Sequence, residues 1–295
     1  MKRKFLLSCL LIVLLQTVHA KDICGVYVNK TKSLYENQYL VIEKTDGGKL
    51  TGFYYGITDD FDKAREGYLP GFFVSKIDSI VNVGNSVVFS FVVNAVNTFT
   101  TQVPLDIRTS NEAYERIKPW GIYQENIYTI QYKGEIKGET IFVKGKTSYD
   151  NKTFVKINDP TTIKTVQTAK DKYARLASCD KIYQDVDVKP RMWKEELSLQ
   201  DYISYNVKIE KIKVPEAISL TVKFVVKRNG SVDNVNISSN QKYTKEFEET
   251  ICKLVKNSPA WIPGKIKTDN VDSCVSQEKE PVCTQMTYMI NIAKQ

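Results

Sequence analysis

The sequence predicts an α+β protein: an N-terminal antiparallel β-barrel or sandwich, then a small domain of two helices packed on a three-stranded antiparallel sheet. Up to about Ile157 the chain is a succession of short β-branched and aromatic runs separated by turn residues. Beyond Tyr183, helical and alternating periodicities take turns. The composition is that of a globular chain, 42% hydrophobic and 26% charged over 295 residues. Collagen, low-complexity and polytopic membrane classes are thereby excluded.

Residues 1–20 read as a cleaved signal peptide: a basic Lys2-Arg3-Lys4 start, an apolar run from Phe5 to Val18, and Val18-His19-Ala20 before Lys21. Cys9 precedes most of the apolar run, where a lipoprotein signal would place it afterwards. The run is also shorter than the roughly 20 residues a spanning helix needs. The mature chain is therefore expected to be periplasmic or secreted and not membrane-spanning. It keeps 39 of 42 basic residues against 34 acidic ones, so 39 − 34 gives +5.

Removal of the leader also removes His19, the only histidine. A Ser-His-Asp or Cys-His nucleophile and a His-ligated metal are then excluded. The reading is a non-enzymatic protein with no cofactor and no catalytic or metal residues, although carboxylate-pair hydrolysis and calcium binding need no histidine. Of the mature cysteines Cys24, Cys179, Cys252, Cys274 and Cys283, the expected pairs are Cys24–Cys179 and Cys274–Cys283. Cys252, beside Ile251 on a patterned helix, is expected to be a buried thiol.

Domain boundaries fall at 21–157 for the β-rich part, 158–182 for a linker with a short helix, and 183–295 for the second domain. In the first, strands are predicted over 38–44, 49–57, 72–83, 87–93, 127–131 and 140–144, with turns such as Asp46-Gly47-Gly48 and Gly84-Asn85 between them. The Asp59-Asp60 and Asp62 loop lacks the alternating ligands and terminal glutamate of an EF-hand and reads as a solvated turn. In the connection, Val166, Ala169, Tyr173 and Leu176 recur at helical spacing.

The second domain opens with Ser198-Leu199-Gln200-Asp201, a capping-box-like helix start. Leu220, Val222, Phe224 and Val226 alternate with polar residues, Asn229-Gly230 makes a hairpin turn, and Val235 and Ile237 lie on the return strand. Thr244 caps a second helix with Phe247, Ile251, Leu254 and Val255 on one face, and Asn257-Ser258-Pro259 stops it. Residues 286–292 form a last strand.

This order, together with Pro190, Trp193, the text from Val222 to Val232 and above all Pro259-Ala260-Trp261-Ile262-Pro263-Gly264, resembles the C-terminal domain of TonB-type energy transducers in their Bacteroidetes form. The motif residues are Asn229, Gly230, Pro259, Trp261, Pro263 and Gly264. The resemblance covers about the last 110 residues. It departs from the family at Ile209-Glu210, where the family has Tyr-Pro, and at Ser219, where it has glycine. The prolines, 9 in all, are scattered, so the long proline-rich span of a transducer is missing. The resemblance implies a last strand, Met286, Thr287, Tyr288, Met289, Ile290, Asn291 and Ile292, that pairs with an extended peptide of an envelope or outer-membrane protein. The first region is similar at the level of fold to lipocalin-type barrels, which implies a small apolar ligand.

From Asp180 onward 18 basic residues stand against 16 acidic ones, leaving +2 there and +3 on residues 21–179. That even spread argues against a nucleic-acid partner. Three functions follow in order: an exported protein-binding protein using strand addition, a carrier of a small apolar ligand in the barrel, and a carboxylate-based hydrolase.

Overall fold

The computed structural model describes residues 22–30, 37–57, 71–120, 127–145, 151–193, 198–209, 212, 214, 216–267 and 279–294. The expected leader, the Asp59–Asp62 loop and Cys274 lie outside them.

The first region is a closed antiparallel barrel. Its strands are β1 (Gly25–Asn29), β2 (Gln38–Lys44), β3 (Leu50–Ile57), β4 (Phe72–Val83) and β5 (Ser86–Asn94). After α1 (Ser110–Arg116) come β6 (Ile127–Lys137), β7 (Thr140–Lys144) and β8 (Lys152–Ile157). Each strand pairs with the next, and β8 returns to β1 with Tyr27 opposite Lys156. A barrel of eight strands has an interior just wide enough to be filled by side chains. Here Tyr54, Phe73, Phe89, Phe91, Tyr132 and Phe154 fill it. Tyr54 stacks on Phe91 at 4.3 Å, and its hydroxyl donates to the buried Gln38 side chain at 2.8 Å.

The outer face of β1 to β4 is buried as well. Val26, Val41, Phe53 and Tyr55 pack against Phe99, Val103, Ile107 and Tyr114 of the β5–β6 crossover, and against Val166. Tyr54 thus faces one core while Phe53 and Tyr55 face another. This explains why Phe53-Tyr54-Tyr55-Gly56-Ile57 is continuously apolar, without the alternation of a half-solvated strand.

Arg108 anchors the crossover. Its guanidinium is almost fully buried, donates to both Glu43 carboxylate oxygens at 2.8 and 2.6 Å, lies 4.7 Å from the Phe53 ring centroid, and donates to the Val166 carbonyl at 2.8 Å. One side chain therefore joins barrel strand, crossover and the following helix. That helix, α2 (Pro160–Ala177), is capped by Asp159, which accepts the Thr162 N–H at 2.7 Å. At 18 residues it is longer than the short linking helix expected, and it packs on the barrel through Val166 and Tyr173.

The second region contains β9 (Ile182–Tyr183), β10 (Arg191–Met192), α3 (Leu199–Ile209), β11 (Ile218–Val226), β12 (Val232–Ser238), α4 (Lys245–Lys256), β13 (Trp261–Ile262), β14 (Gly264–Lys267) and β15 (Lys279–Ile292). Its sheet is larger than the three strands predicted. Besides β12, β11 and β15, β14 pairs with the first residues of β15, and β9 runs parallel to it at Cys283–Thr284. Those extra strands are too short to carry a periodic signal. Leu199, Tyr202, Ile203 and Val207 of α3 and Phe247, Ile251, Leu254 and Val255 of α4 close the core over Leu220, Val222, Phe224, Ile290 and Ile292.

The disulfide joins Cys179 to Cys283, with Cα atoms 5.9 Å apart. This replaces both expected pairs, Cys24–Cys179 and Cys274–Cys283. Cys24 has a free thiol at the start of β1, pushed up to about 11 by burial. Cys252 is free and half-buried on α4. Cys283 lies beside β9, just after Cys179 in the chain, which a spacing argument could not foresee.

Arg108→Ala leaves the Glu43 carboxylate buried without its partner. It is expected to destabilise the fold by about 3–5 kcal/mol in denaturant titration, while Arg108→Lys, which cannot bond both oxygens in one plane, is expected to recover only part of the loss. The Cys179→Ser, Cys283→Ser double variant opens a closure spanning 104 residues. Its expected cost is about 3–5 kcal/mol, and non-reducing peptide mapping of the parent protein checks the pairing.

Candidate functional site

Burial along the final strand alternates. Ile290 and Ile292 are buried and Met286 and Tyr288 half-buried on the helix side, whereas Thr287, Met289 and Asn291 point to solvent. Tyr288 stacks on Phe224 at 5.8 Å and meets Trp261 edge-on at 6.1 Å; burial raises its phenol. Met289 is 72% exposed, the most open large apolar residue described.

The backbone of this strand has two edges. One is taken by β11 from Thr284 to Ile292. Which residues turn their N–H and C=O to the other edge follows from Asn291. Its N–H donates to Gln200 Oε1 and its carbonyl accepts from Gln200 Nε2, both at 2.7 Å. Ser219, opposite Asn291, likewise turns its backbone away from β15, bonding Gln241 and Ser239. Because successive residues alternate, Gln285, Thr287 and Met289 face the outer edge too. At its start that edge is occupied by β9, since Thr284 pairs with both Val226 and Tyr183. At its end Gln200 stands in for a strand, satisfying one residue with its side-chain amide. The five residues 285–289 between them have no strand partner on that side among the described residues.

The motif residues lie elsewhere, gathered where the second domain meets the barrel. Asn229 is buried and its Oδ1 accepts from the Ser231 N–H and hydroxyl at 3.0 and 2.7 Å. Gly230 sits at φ +77, and a Cβ there would collide with the Trp261 carbonyl. Trp261 is fully buried, its N–H reaching the Gly230 carbonyl at 3.3 Å and its indole N–H donating to Ser258 Oγ at 2.9 Å. Pro259 and Pro263 are buried around it, and Gly264 leaves room for Thr284.

Barrel groups receive this cluster. The Asn94 side chain donates to the Asn257 carbonyl at 3.3 Å, and Asn97 Oδ1 accepts the Ala260 N–H at 3.5 Å. Tyr114 of α1 stacks on Trp193 at 4.3 Å, and the Trp193 N–H donates to the Ala260 carbonyl at 2.9 Å. The motif thus joins the two regions and backs the final strand through Trp261 and Gly264, while the outward N–H and C=O groups at 285–289 lie on the strand's other edge. The roles of Gln200, Asn94, Asn97 and Arg108 were not legible in the sequence, because a side chain that satisfies a distant backbone group leaves no periodic or spacing signal.

Among the described residues no group of three His, Cys, Asp or Glu side chains comes together as a metal site, and no helix is long and apolar enough to cross a membrane. No family model, curated protein or solved structure matches the chain.

Gly230→Ala strains a left-handed backbone and drives a methyl into the Trp261 carbonyl. An expected loss of at least about 2 kcal/mol in thermal or denaturant unfolding, exceeding that of Gly48→Ala in an open turn, checks this role.

Proposed function

We propose that this protein is an exported, non-enzymatic binding protein of the bacterial envelope, which accepts an extended segment of another envelope protein as an added strand on the outer edge of β15. The open run at 285–289 carries the reading. Three residues there offer outward N–H and C=O groups in register, on a strand held from the other side by nine paired residues of β11. Such an edge templates another strand unless it is blunted, and here no charge, proline or bulge interrupts it between Gln285 and Met289. The TonB-type resemblance points to the same strand and to an outer-membrane partner, so a link to TonB-dependent transport belongs to the proposal. The alternative of a small apolar ligand in the barrel has less support, because six aromatic rings occupy the interior. For carboxylate hydrolysis no acidic cluster comes together among the described residues.

Thr287→Pro deletes one outward N–H and leaves the bonds to β11 intact, whereas Tyr288→Pro breaks the ladder to β11 instead. Recovery of an envelope partner from native extract by the full mature chain, read by mass spectrometry, is expected to fall at least about tenfold with Thr287→Pro at unchanged thermal stability. Undiminished recovery with that variant refutes the strand-addition reading.

A further inference from the structure

A cleft of about 700 Å³ lies between the barrel and the second domain. Its floor is the outer surface of β3, β4 and β5. Its walls are the start of α1, the end of α2, the β11–β12 turn and the last residues of α4. That volume is within the range of small-molecule sites.

Its charge is one-sided. Lys49, Lys76, Arg108, Lys227 and Lys256 line it, against Asp233 alone. Two of the five cations are answered: Arg108 by Glu43 at 2.6 Å, and Lys227 by Asp233, also at 2.6 Å. The hydrogen bond from Lys227 holds the Asp233 carboxyl below its usual range, so this pair stays ionised at neutral pH. Lys49, Lys76 and Lys256 have no ion-pair partner among the described residues. Lys49, just before β3, and Lys76 on the paired β4 belong to the barrel, and Lys256, the last residue of α4, comes to the same cleft from the second domain.

The enclosed polar atoms behind the lining show the same bias. Two lining residues more than nine-tenths buried carry a polar atom without a hydrogen-bond partner: the Asn229 amide Nδ2 and the Arg108 Nε. Both are donors, and no lining residue has a buried acceptor left without a partner. A cleft that presents three ammonium groups without ion-pair partners is matched to a ligand that brings several acceptors and negative charge.

We infer that the interdomain cleft is a binding site for a small polyanion carrying two or more negative charges, a polycarboxylate or a phosphorylated compound, with Lys49, Lys76 and Lys256 as its principal counter-charges. This site is independent of the β15 edge. Occupancy joins groups from both domains, so the ligand also tightens their docking.

Isothermal titration of the full mature chain with citrate and, separately, with pyrophosphate tests the inference and distinguishes the two sources of charge. At least one is expected to bind with a dissociation constant below about 1 mM at low salt and to weaken as salt rises, as screening requires. The Lys49→Ala, Lys76→Ala, Lys256→Ala variant is expected to lose at least about tenfold in affinity, whereas Lys164→Ala on the exposed face of α2 leaves it unchanged. The binding isotherm of the folded triple variant, verified by its unfolding transition, is compared with that of Lys49→Gln alone, which is expected to lose less. Absence of binding of both probes at about 10 mM, or equal binding by parent and triple variant, overturns the site.

Discussion

The buried pair between Arg108 and Glu43 is the constraint on which the arrangement of this molecule rests. A guanidinium that is almost fully enclosed has to be satisfied from several directions, and here the satisfying groups come from β2 and α2. The crossover from β5 to β6 is thereby held flat against the barrel. Asn94 at the end of β5, with Asn97 and Tyr114 of the crossover, then forms the shelf on which the second domain sits.

The second domain uses its two most recognisable features for different purposes. The Asn229-Gly230 turn and the Pro259–Gly264 segment face inward, packed on each other and on the barrel. The final strand faces outward, with one edge anchored and the other left open over a short run. The open run thus lies on a strand whose opposite edge is paired along its length with β11, so its outward backbone groups are already aligned. Gln200 marks where the open run ends, since a side-chain amide there makes the bonds a neighbouring strand would make.

How far the sequence could be read depends on whether a feature is local. The strands at 38–44, 72–83 and 140–144 have the bounds that alternation and turn residues indicate. So does the cap at Thr244, whose hydroxyl accepts the Phe247 N–H. The first and last barrel strands were not legible: Gly25–Asn29 is short, and Lys152–Ile157 carries lysines at both ends of a two-residue apolar centre, so only closure of the barrel makes them strands. The cysteine pairing and the interdomain lysines were invisible for another reason. Each joins residues far apart in the chain, and neither composition nor spacing encodes which distant partner the fold will present.

The Cys179–Cys283 bond has a mechanical meaning. Cys283 lies two residues before the open run of β15, and Cys179 lies two residues after α2, on the barrel side of the molecule. Tension applied along β15 therefore has a covalent route into the barrel that bypasses the hydrogen-bonded sheet of the second domain. A guest strand lying on that edge would be loaded in shear, with its bonds strained together, while the host strand is tethered by sulfur close to the point of load. Load along β15 is thus met by a sulfur bond as well as by the sheet's hydrogen bonds.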